Sequence, residues 1–506
     1  MQLDLSVLEP KLLSAVTDIA TLVRNAGGRA LMVGGSVRDL LIGEKEVKDV
    51  DLEVYGIRPD DLQRVIGARY PFDPCGVSFG VLKIQHIDID VSLPRRESKR
   101  GEGHRAFLVD SDPFLSVKEA ASRRDFTINA MYYDPLAGAF EDPYGGVADL
   151  EKRILRHVSP KFVEDPLRVL RGMQFIARFD LTPAPETVAI CRTMEIEGLA
   201  PERLFEEWSK LLTKGKAMAK GLDFLRDTGW VRYFPELARL IGCRQDPAWH
   251  PEGDVWEHTK LCLDAFARHR VGDKTEDLVV GLAVVCHDFG KPATTAVDPR
   301  TGHIRSLGHD ERGVEPTLSF LRRLTNEERL FKEVPPLVQC HMQPFAMWKS
   351  KCGDAAIRRL ALKVVRIDRL LRVAQADDEG RLPELVATSS GGEERAWLAE
   401  QAERLRIADE APKPILLGRH LIALGYEPSP QFGIWLGKAF DAQLEGAFSD
   451  LDGALAWLRD SVRDCPPDSV RDCPPVRGPV PGGGGPVPEG FQPSRDCPRT
   501  KGASRR

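Results

Sequence analysis

The stretch Gly34-Gly35-Ser36-Val37-Arg38-Asp39, followed by Asp49-Val50-Asp51, decides how this chain is read. The apolar run Ala30 to Val33 enters the paired glycines as a short strand, and Val37–Ile42 leaves them as a helical turn. Two glycines at such a junction let the backbone approach a phosphate, and the helix start offers free N–H groups with positive partial charge. Arg38 adds a full charge. Asp49 and Asp51 stand two apart at the start of a strand, Val50–Val54, so both carboxylates share one face while Val50 and Leu52 turn toward the core. Side by side they repel unless a cation lies between them. Mg²⁺, a hard ion that takes oxygen ligands together with substrate phosphates, meets that need.

Working outward, Ile87-Asp88-Ile89-Asp90-Val91 repeats the alternation and supplies a third acid, with Asp90 preferred over Asp88. Three carboxylates can hold two metal ions, the arrangement for in-line phosphoryl transfer. Arg123-Arg124-Asp125 brings cations ahead of a buried-looking run. Glu164-Asp165-Pro166-Leu167-Arg168-Val169-Leu170-Arg171 opens a helix, with Pro166 where a first turn tolerates proline. Asp165 and Arg168 then lie one turn apart, either reading a base edge through an acceptor and donors or forming an ordinary surface ion pair.

The surroundings set the fold class as α+β. Leu8, Leu12, Val16, Ile19 and Val23 form one stripe of an amphipathic helix that Gly27-Gly28 stops. Strands interleaved with short helices continue to about residue 155, and from Glu164 to Trp457 the pattern is almost wholly helical. The expected divisions are an N-terminal helix (1–27), a head (28–155), a helical neck (156–245), a histidine-rich subdomain (246–385), a last helical piece (386–460) and a tail (461–506). In that tail Ser461–Pro467 recurs at Ser469–Pro475 before a run of Pro and Gly, a composition that predicts disorder. Its Cys465, Cys473 and Cys497 sit in isolated D-C-P triplets, a weak metal signal.

Composition narrows the function. The 506 residues are 42% hydrophobic and 29% charged, which excludes general disorder. The longest apolar run, Leu278 to Cys286, falls short of the roughly 20 residues of a membrane helix. Asp4 and Glu9 stand where an export signal is basic and then apolar, so a cytosolic location is expected. Ten cysteines without a C-x-x-C pair read as mostly buried thiols rather than a disulfide framework. The net charge of −5 leaves room for a nucleic-acid site only as a local patch.

In order along the chain, GGSVRD at 34–39, DVDLEVYG at 49–56, RRDFTINAM at 123–131, DPYGGVADL at 142–150 and EDPLRVLR at 164–171 resemble the bacterial CCA-adding tRNA nucleotidyltransferases, a class shared with bacterial poly(A) polymerases. The resemblance implies a polymerase-β-like nucleotidyltransferase head, Asp49 and Asp51 as Mg²⁺ ligands beside Asp90, Gly35 and Arg38 at the triphosphate, and Arg124 at the nucleotide. It implies further that Asp165 and Arg168 pair with the incoming base, with Arg171 on the same side, and that CTP and then ATP are selected without a nucleic-acid template. Gln174 departs from the pattern, since many members carry arginine there. Arg96–Ser122 matches a mobile loop of CCA-adding members. The piece 386–460 is similar to the tRNA-gripping tail, and neither DNA nor a membrane is an expected partner.

His258, the dyad His287-Asp288, His309, His341 and Asp377 punctuate the helical body. The dyad follows an apolar run that holds it at a buried helix end, and mixed imidazole and carboxylate donors favour Mn, Fe, Co or Ni over structural zinc. WHPEGDVWEHT at 249–259, CHDFGK at 286–291, GHDERG at 308–313 and ADDEGR at 376–381 resemble an HD-superfamily phosphohydrolase domain. That likeness implies His258, His287, Asp288 and Asp377 on one metal, His309 and His341 on a second metal or in structural roles, and phosphatase or 2′,3′-cyclic phosphodiesterase activity on RNA ends. The functions open at this stage are CCA addition, CC-only, A-only or poly(A) addition, and an HD hydrolase whose head only binds RNA.

Overall fold

The computed structural model describes residues 3–44, 47–73, 80–99, 107–381 and 391–463. Helix α1 (Pro10–Asn25) opens with proline, whose missing N–H costs nothing in a first turn, and buries Leu12, Val16, Ile19 and Val23. It packs on a seven-stranded sheet with the order β3 (Phe72–Asp73), β4 (Val81–Ile84), β5 (Ile89–Ser92), β2 (Val50–Tyr55), β1 (Arg29–Val33), β8 (Tyr132–Asp134), β9 (Ala139–Glu141). Only the β2–β5 pair is parallel. The head is therefore a mixed sheet, and α1 and helix α3 (Pro59–Gly67) share its core with Met32, Leu52, Val54 and Val91. Period-two alternation along β2 puts Val50, Leu52 and Val54 into that core and leaves Asp51 on the open side.

Helix α2 (Gly35–Leu41) follows β1 directly. Strands β6 (Arg95–Lys99) and β7 (Phe107–Ser111) form a separate hairpin, and α4 (Val117–Ala121) carries a capping box between Ser116 and Glu119. The expected loop at Arg96–Ser122 thus includes a hairpin and a capped helix, with 100–106 outside the described residues.

One continuous core runs through the helical body, from Phe126 and Leu170 past Trp208, Phe234 and Phe320 to Leu370, Leu398 and Ile407. Trp208, Phe234 and Phe320 meet edge-on or tilted, with ring centroids 5.2–6.1 Å apart, as aromatic quadrupoles prefer. The helix Glu393–Arg404 belongs to this core through Leu398 and Ala402. The compact unit therefore extends to Pro412, past the division expected at 385. The second unit, from Lys413, has its own small core of Leu416, Leu421, Trp435, Ala439 and Leu458. Its last helix is Leu451–Arg463, so Ser461–Arg463 of the expected tail are helical. Residues 464–506, including the three tail cysteines, lie outside the described residues. No described helix is long and apolar enough to cross a membrane.

Candidate active sites of the head and the body

In the head, strand register brings the acids together. Asp51 is the partner of Val33 across the antiparallel pair and of Asp90 across the parallel one. Asp49 is exposed one residue ahead of β2, and Asp88 precedes β5, where its carbonyl accepts the Val50 N–H at 3.0 Å. Desolvation raises the Asp51 pKa; Arg124 works against this, while Asp90, Asp49 and Glu53 add to it. Asp51, Glu53 and Asp90 face a cleft of about 330 Å³ that Arg123 and Arg124 also line. Gly34, at φ +73°, lets the chain turn there, and a side chain would reach 3.4 Å from Arg124 Nη1 and 3.6 Å from Asp51 Oδ2.

Arg124 donates to Glu53 Oε2 at 3.0 Å and to the Tyr132 hydroxyl at 3.2 Å. Tyr55 donates to the other Glu53 oxygen. Glu53 thus holds Arg124 beside the acids. Arg38 is only 3% exposed. It donates to Asp39 Oδ1 at 2.7 Å and Asn129 Oδ1 at 2.5 Å, and lies 4.5 Å from the Phe179 ring centroid. Burial lowers its pKa. Its guanidinium therefore sits behind the glycine turn, with Nη2 3.5 Å from where a Gly35 side chain would begin.

The base-reading pair is arranged differently from the expected helix face. The helix starts at Leu167, and Asp165 lies before it in extended conformation, its Oδ1 accepting the Leu167 N–H at 3.1 Å. Arg203 donates to Asp165 Oδ2 at 2.8 Å, while Arg168 donates to the carbonyls of Lys161 at 2.9 Å and Arg123 at 2.6 Å. No Asp165–Arg168 side-chain pair forms, because the Leu167 N–H and Arg203 occupy the acid while backbone carbonyls occupy Arg168. Arg171 donates to Asp125 Oδ2 at 2.8 Å, and Asp125 in turn accepts from Asn129 at 3.0 Å. Burial pushes the Asp125 carboxyl upward, but Arg171 and the hydrogen bonds outweigh it and leave the pKa lowered. Gln174 is buried, and its Oε1 has no hydrogen-bond partner. Glu53, Asp125 and Asn129 were not singled out as site residues, although all three lie inside quoted motifs.

In the body, separate helices deliver the donors. His258 lies on Val255–Arg268, Asp377 on Ile367–Glu379, and His287 and His341 cap the C-termini of Lys274–Cys286 and Glu328–Cys340. His287 Nδ1 donates to the Val284 carbonyl at 2.8 Å, His341 Nδ1 to Val338 at 2.7 Å, and His309 Nδ1 to Ser306 at 2.8 Å. Those bonds fix the tautomer and leave each Nε2 as the inward-facing ligand atom. His258 is oriented instead by Glu252, 3.0 Å from Nδ1, and its Nε2 meets Asp377 Oδ1 at 2.9 Å.

Asp288 stands between two groups, with Oδ2 3.3 Å from His287 Nε2 and Oδ1 3.5 Å from His309 Nε2. One group is His258, Cys262, His287 and Asp377, a second is Asp288, His309 and His341, and a third is His250, Glu252 and His258; within each, the possible ligand atoms lie within 4.8 Å of one another. The tight set thus differs from the expected quartet by holding Cys262 where Asp288 was placed. Burial opposes ionisation of Asp288 and Asp377, yet His287 and Lys291 beside the first, and His258 beside the second, hold both pKa values well below the usual range. Burial and the neighbouring His287 push His341 down to about 4, so its imidazole is neutral at pH 7. His287 Nε2 and Asp288 Oδ1 are buried and take part in no hydrogen bond. Such orphaned atoms, with hard and borderline donors around them, fit a divalent transition metal. Cys262 carries a local signal, four residues after His258 on one helix face. Glu252 carries none, because its pairing depends on the fold of its loop.

Residues 30–156 match the poly A polymerase head domain family, and 180–241 match a family described as a probable RNA and SrmB-binding site of polymerase A. A multifunctional CCA protein of Xanthomonas campestris pv. campestris is 35% identical over 435 residues, covering 83% of this chain and 98% of the relative. Another, of Alkalilimnicola ehrlichii, is 37% identical over 371 residues, covering 70% and 84%. Among solved structures, the Bacillus stearothermophilus CCA-adding enzyme in complex with CTP has a TM-score of 0.59 at 22% identity, with 90% of this chain and 98% of that one covered. The Thermotoga maritima CCA-adding enzyme complexed with tRNA has a TM-score of 0.55 at 19% identity, covering 90% and 97%. These two likenesses establish the fold: a polymerase-β-like head followed by a helical body.

Proposed function

This chain belongs to the multifunctional CCA protein family, and from that premise we propose that it adds C, C and A to the 3′ end of tRNA, drawing on CTP and ATP without a nucleic-acid template. The observation that carries this reading is the registered Asp51–Asp90 pair in a cleft shared with Arg124 and the glycine turn. Asp49, Asp51 and Asp90 offer only hard oxygen donors, and desolvation, to which the neighbouring acids add, raises the Asp51 pKa. Mg²⁺ fits that set. When bound it supplies charge neutralisation for phosphoryl transfer.

The remaining work falls to the chain's own side chains. Gly35 leaves its backbone open to a triphosphate, Arg38 contributes charge from behind the turn, and Arg124, locked by Glu53, faces the cleft. Asp165 and Arg168 are assigned to the base, with a base edge displacing Arg203 from the one and backbone carbonyls from the other. Arg171, anchored on Asp125, lines the same side. The piece 386–460 is assigned to the tRNA body, and a role in tRNA processing supports a cytoplasmic site of action.

A second activity is favoured by the buried histidine–aspartate cluster: a metal-dependent phosphatase or 2′,3′-cyclic phosphodiesterase acting on RNA ends. His258, His287, Asp288 and Asp377, with His309 and His341 adjoining, would hold Ni, Co, Mn or Fe, which supplies Lewis acidity when bound. Glu252 orients His258, and Lys291 lies 2.7 Å from Asp288, balancing its charge.

The test is a tRNA transcript lacking its CCA end, incubated with Mg²⁺ and CTP, ATP or both. Three added nucleotides only with both present is the expected result. A long A tract marks a poly(A) polymerase, one or two additions a partial enzyme, and no addition an HD hydrolase with an RNA-binding head.

A further inference from the structure

We infer that Cys262 is a ligand of the buried metal in the body, its thiolate joining His258, His287, Asp288 and Asp377 as a further donor; this rests on reading that cluster as a metal centre. His258 and Cys262 are one helical turn apart on Val255–Arg268 and therefore project from the same face. The Cys262 sulfur lies 3.4 Å from His258 Nε2, Asp377 Oδ1 lies 2.9 Å from the same nitrogen, and Asp377 Oδ1 lies 3.8 Å from His287 Nε2. Donors at bond lengths of about 2.0–2.3 Å stand roughly 2.8–3.8 Å apart around one four- to six-coordinate ion, the range these separations span. His287 Nε2, 1% exposed as a side chain and without a hydrogen bond, is aimed into the same space.

The thiol is also crowded into place. At Gly380, just past the helix that carries Asp377, a side chain would meet Cys262 Sγ at 2.3 Å and Cys262 N at 2.9 Å. Glycine there lets the backbone close over the sulfur and leaves the imidazoles on its open side. Cys191 and Cys286 are just as buried, yet among the described residues neither joins a group of possible ligands. Ordinary burial of a thiol therefore does not account for where Cys262 sits.

A thiolate changes which metal the body takes. When the ion binds, the sulfur–metal bond forms as the thiol proton leaves to solvent. A set of imidazoles and carboxylates with one thiolate favours Co, Ni, Fe(II) or Zn over Mg or Mn, whereas the all-oxygen set of the head favours Mg. One chain thus sorts two metals by donor softness.

The full-length protein, stripped with chelator and reloaded with Co(II), reads this directly by absorption. Wild type is expected to show near-ultraviolet thiolate-to-Co(II) charge transfer. Cys262→Ser is expected to lose that band, keep the weaker visible Co(II) bands, and bind Co(II) about tenfold or more weakly, since even outer-shell partners cost about 10–100-fold. Nucleotide addition by the same preparation reports that the variant is folded. Stoichiometric Co(II) without the band, or a band that survives Cys262→Ser, overturns the Cys262 assignment and leaves the metal centre standing. Failure of wild type to retain Co(II), or retention undiminished by His287→Ala, overturns the metal centre itself. Should Cys262→Ser not fold, X-ray absorption of the zinc-loaded wild type decides: a sulfur shell at about 2.3 Å supports the ligand, and a nitrogen and oxygen shell alone overturns it.

Discussion

The two sites of this chain solve the same electrostatic problem in opposite ways. In the head, Asp49 and Asp51 are exposed, Asp51 on the open face of the central strand β2, so water screens much of their repulsion. In the body, His258, His287 and Asp288 are almost wholly buried, and ionised carboxylates there require permanent cationic neighbours. Lys291, 2.7 Å from Asp288, serves as such a neighbour, and the imidazoles converge where a resident ion would bring its charge. Open carboxylates in strand register suit a substrate that comes and goes, and buried donors gathered from separate helices suit a metal that stays.

The sharpest way to break this contrast is to remove one site and assay both. Asp51→Ala is expected to lower nucleotide addition by about 10³-fold or more while phosphate release from RNA ends is unchanged, and His287→Ala to do the reverse. One substitution that stops both activities would merge the two sites into one.

Arg171→Ala comes next, since it strips the cation from a carboxylate that is buried yet belongs to the head. Leaving Asp125 unpaired is expected to cost about 3 kcal/mol in chemical denaturation. The pH dependence follows the same pair. Asp125 has a folded pKa below its ordinary value of 3.8, so its contribution is complete above that value and is lost as pH falls through the folded pKa. Asp125→Asn is expected to flatten this acid limb of stability, and an unchanged limb would assign it to other carboxylates.

Metal removal separates the sites thermodynamically. After chelation, Mg²⁺ alone is expected to restore nucleotide addition, and Co(II) or Ni(II) to restore RNA-end hydrolysis. At a hundred times its dissociation constant, the body metal is expected to stabilise the fold by about 2.7 kcal/mol, read as a shift in thermal midpoint. The smallest effect is at the cap of the His258 helix. Asp254 accepts from the Glu257 N–H at 2.9 Å and the Gly242 N–H at 2.6 Å, and Asp254→Ala is expected to cost about 1 kcal/mol and to weaken metal binding modestly, without touching the head.

How far these sites were legible depended on the distance along the chain over which each contact acts. Asp49 and Asp51, the glycine turn and the α1 stripe follow from periods of 2 and 3.6 residues, so they could be read directly. The first-turn geometry at Asp165 could not, because a hydrogen bond to Leu167 and an ion pair with Arg203 hold the acid outside the helix. The compact unit reaches past 385 for a related reason: Leu398 and Ala402 bury against helices far upstream, and no local pattern records the partner.

The amino-acid sequence by itself determined the head's strand–glycine–helix entry, the alternation that aligns its acids, the order of its motifs and the histidines available to the body. Only the tertiary structure decided that Asp51 faces Asp90, that Arg38 lies behind the turn, and that Cys262 and Glu252 stand at His258. Backbone periodicity fixes which side chains share a face. Strand register and helix packing fix which faces meet, and that depends on burying the whole core at once.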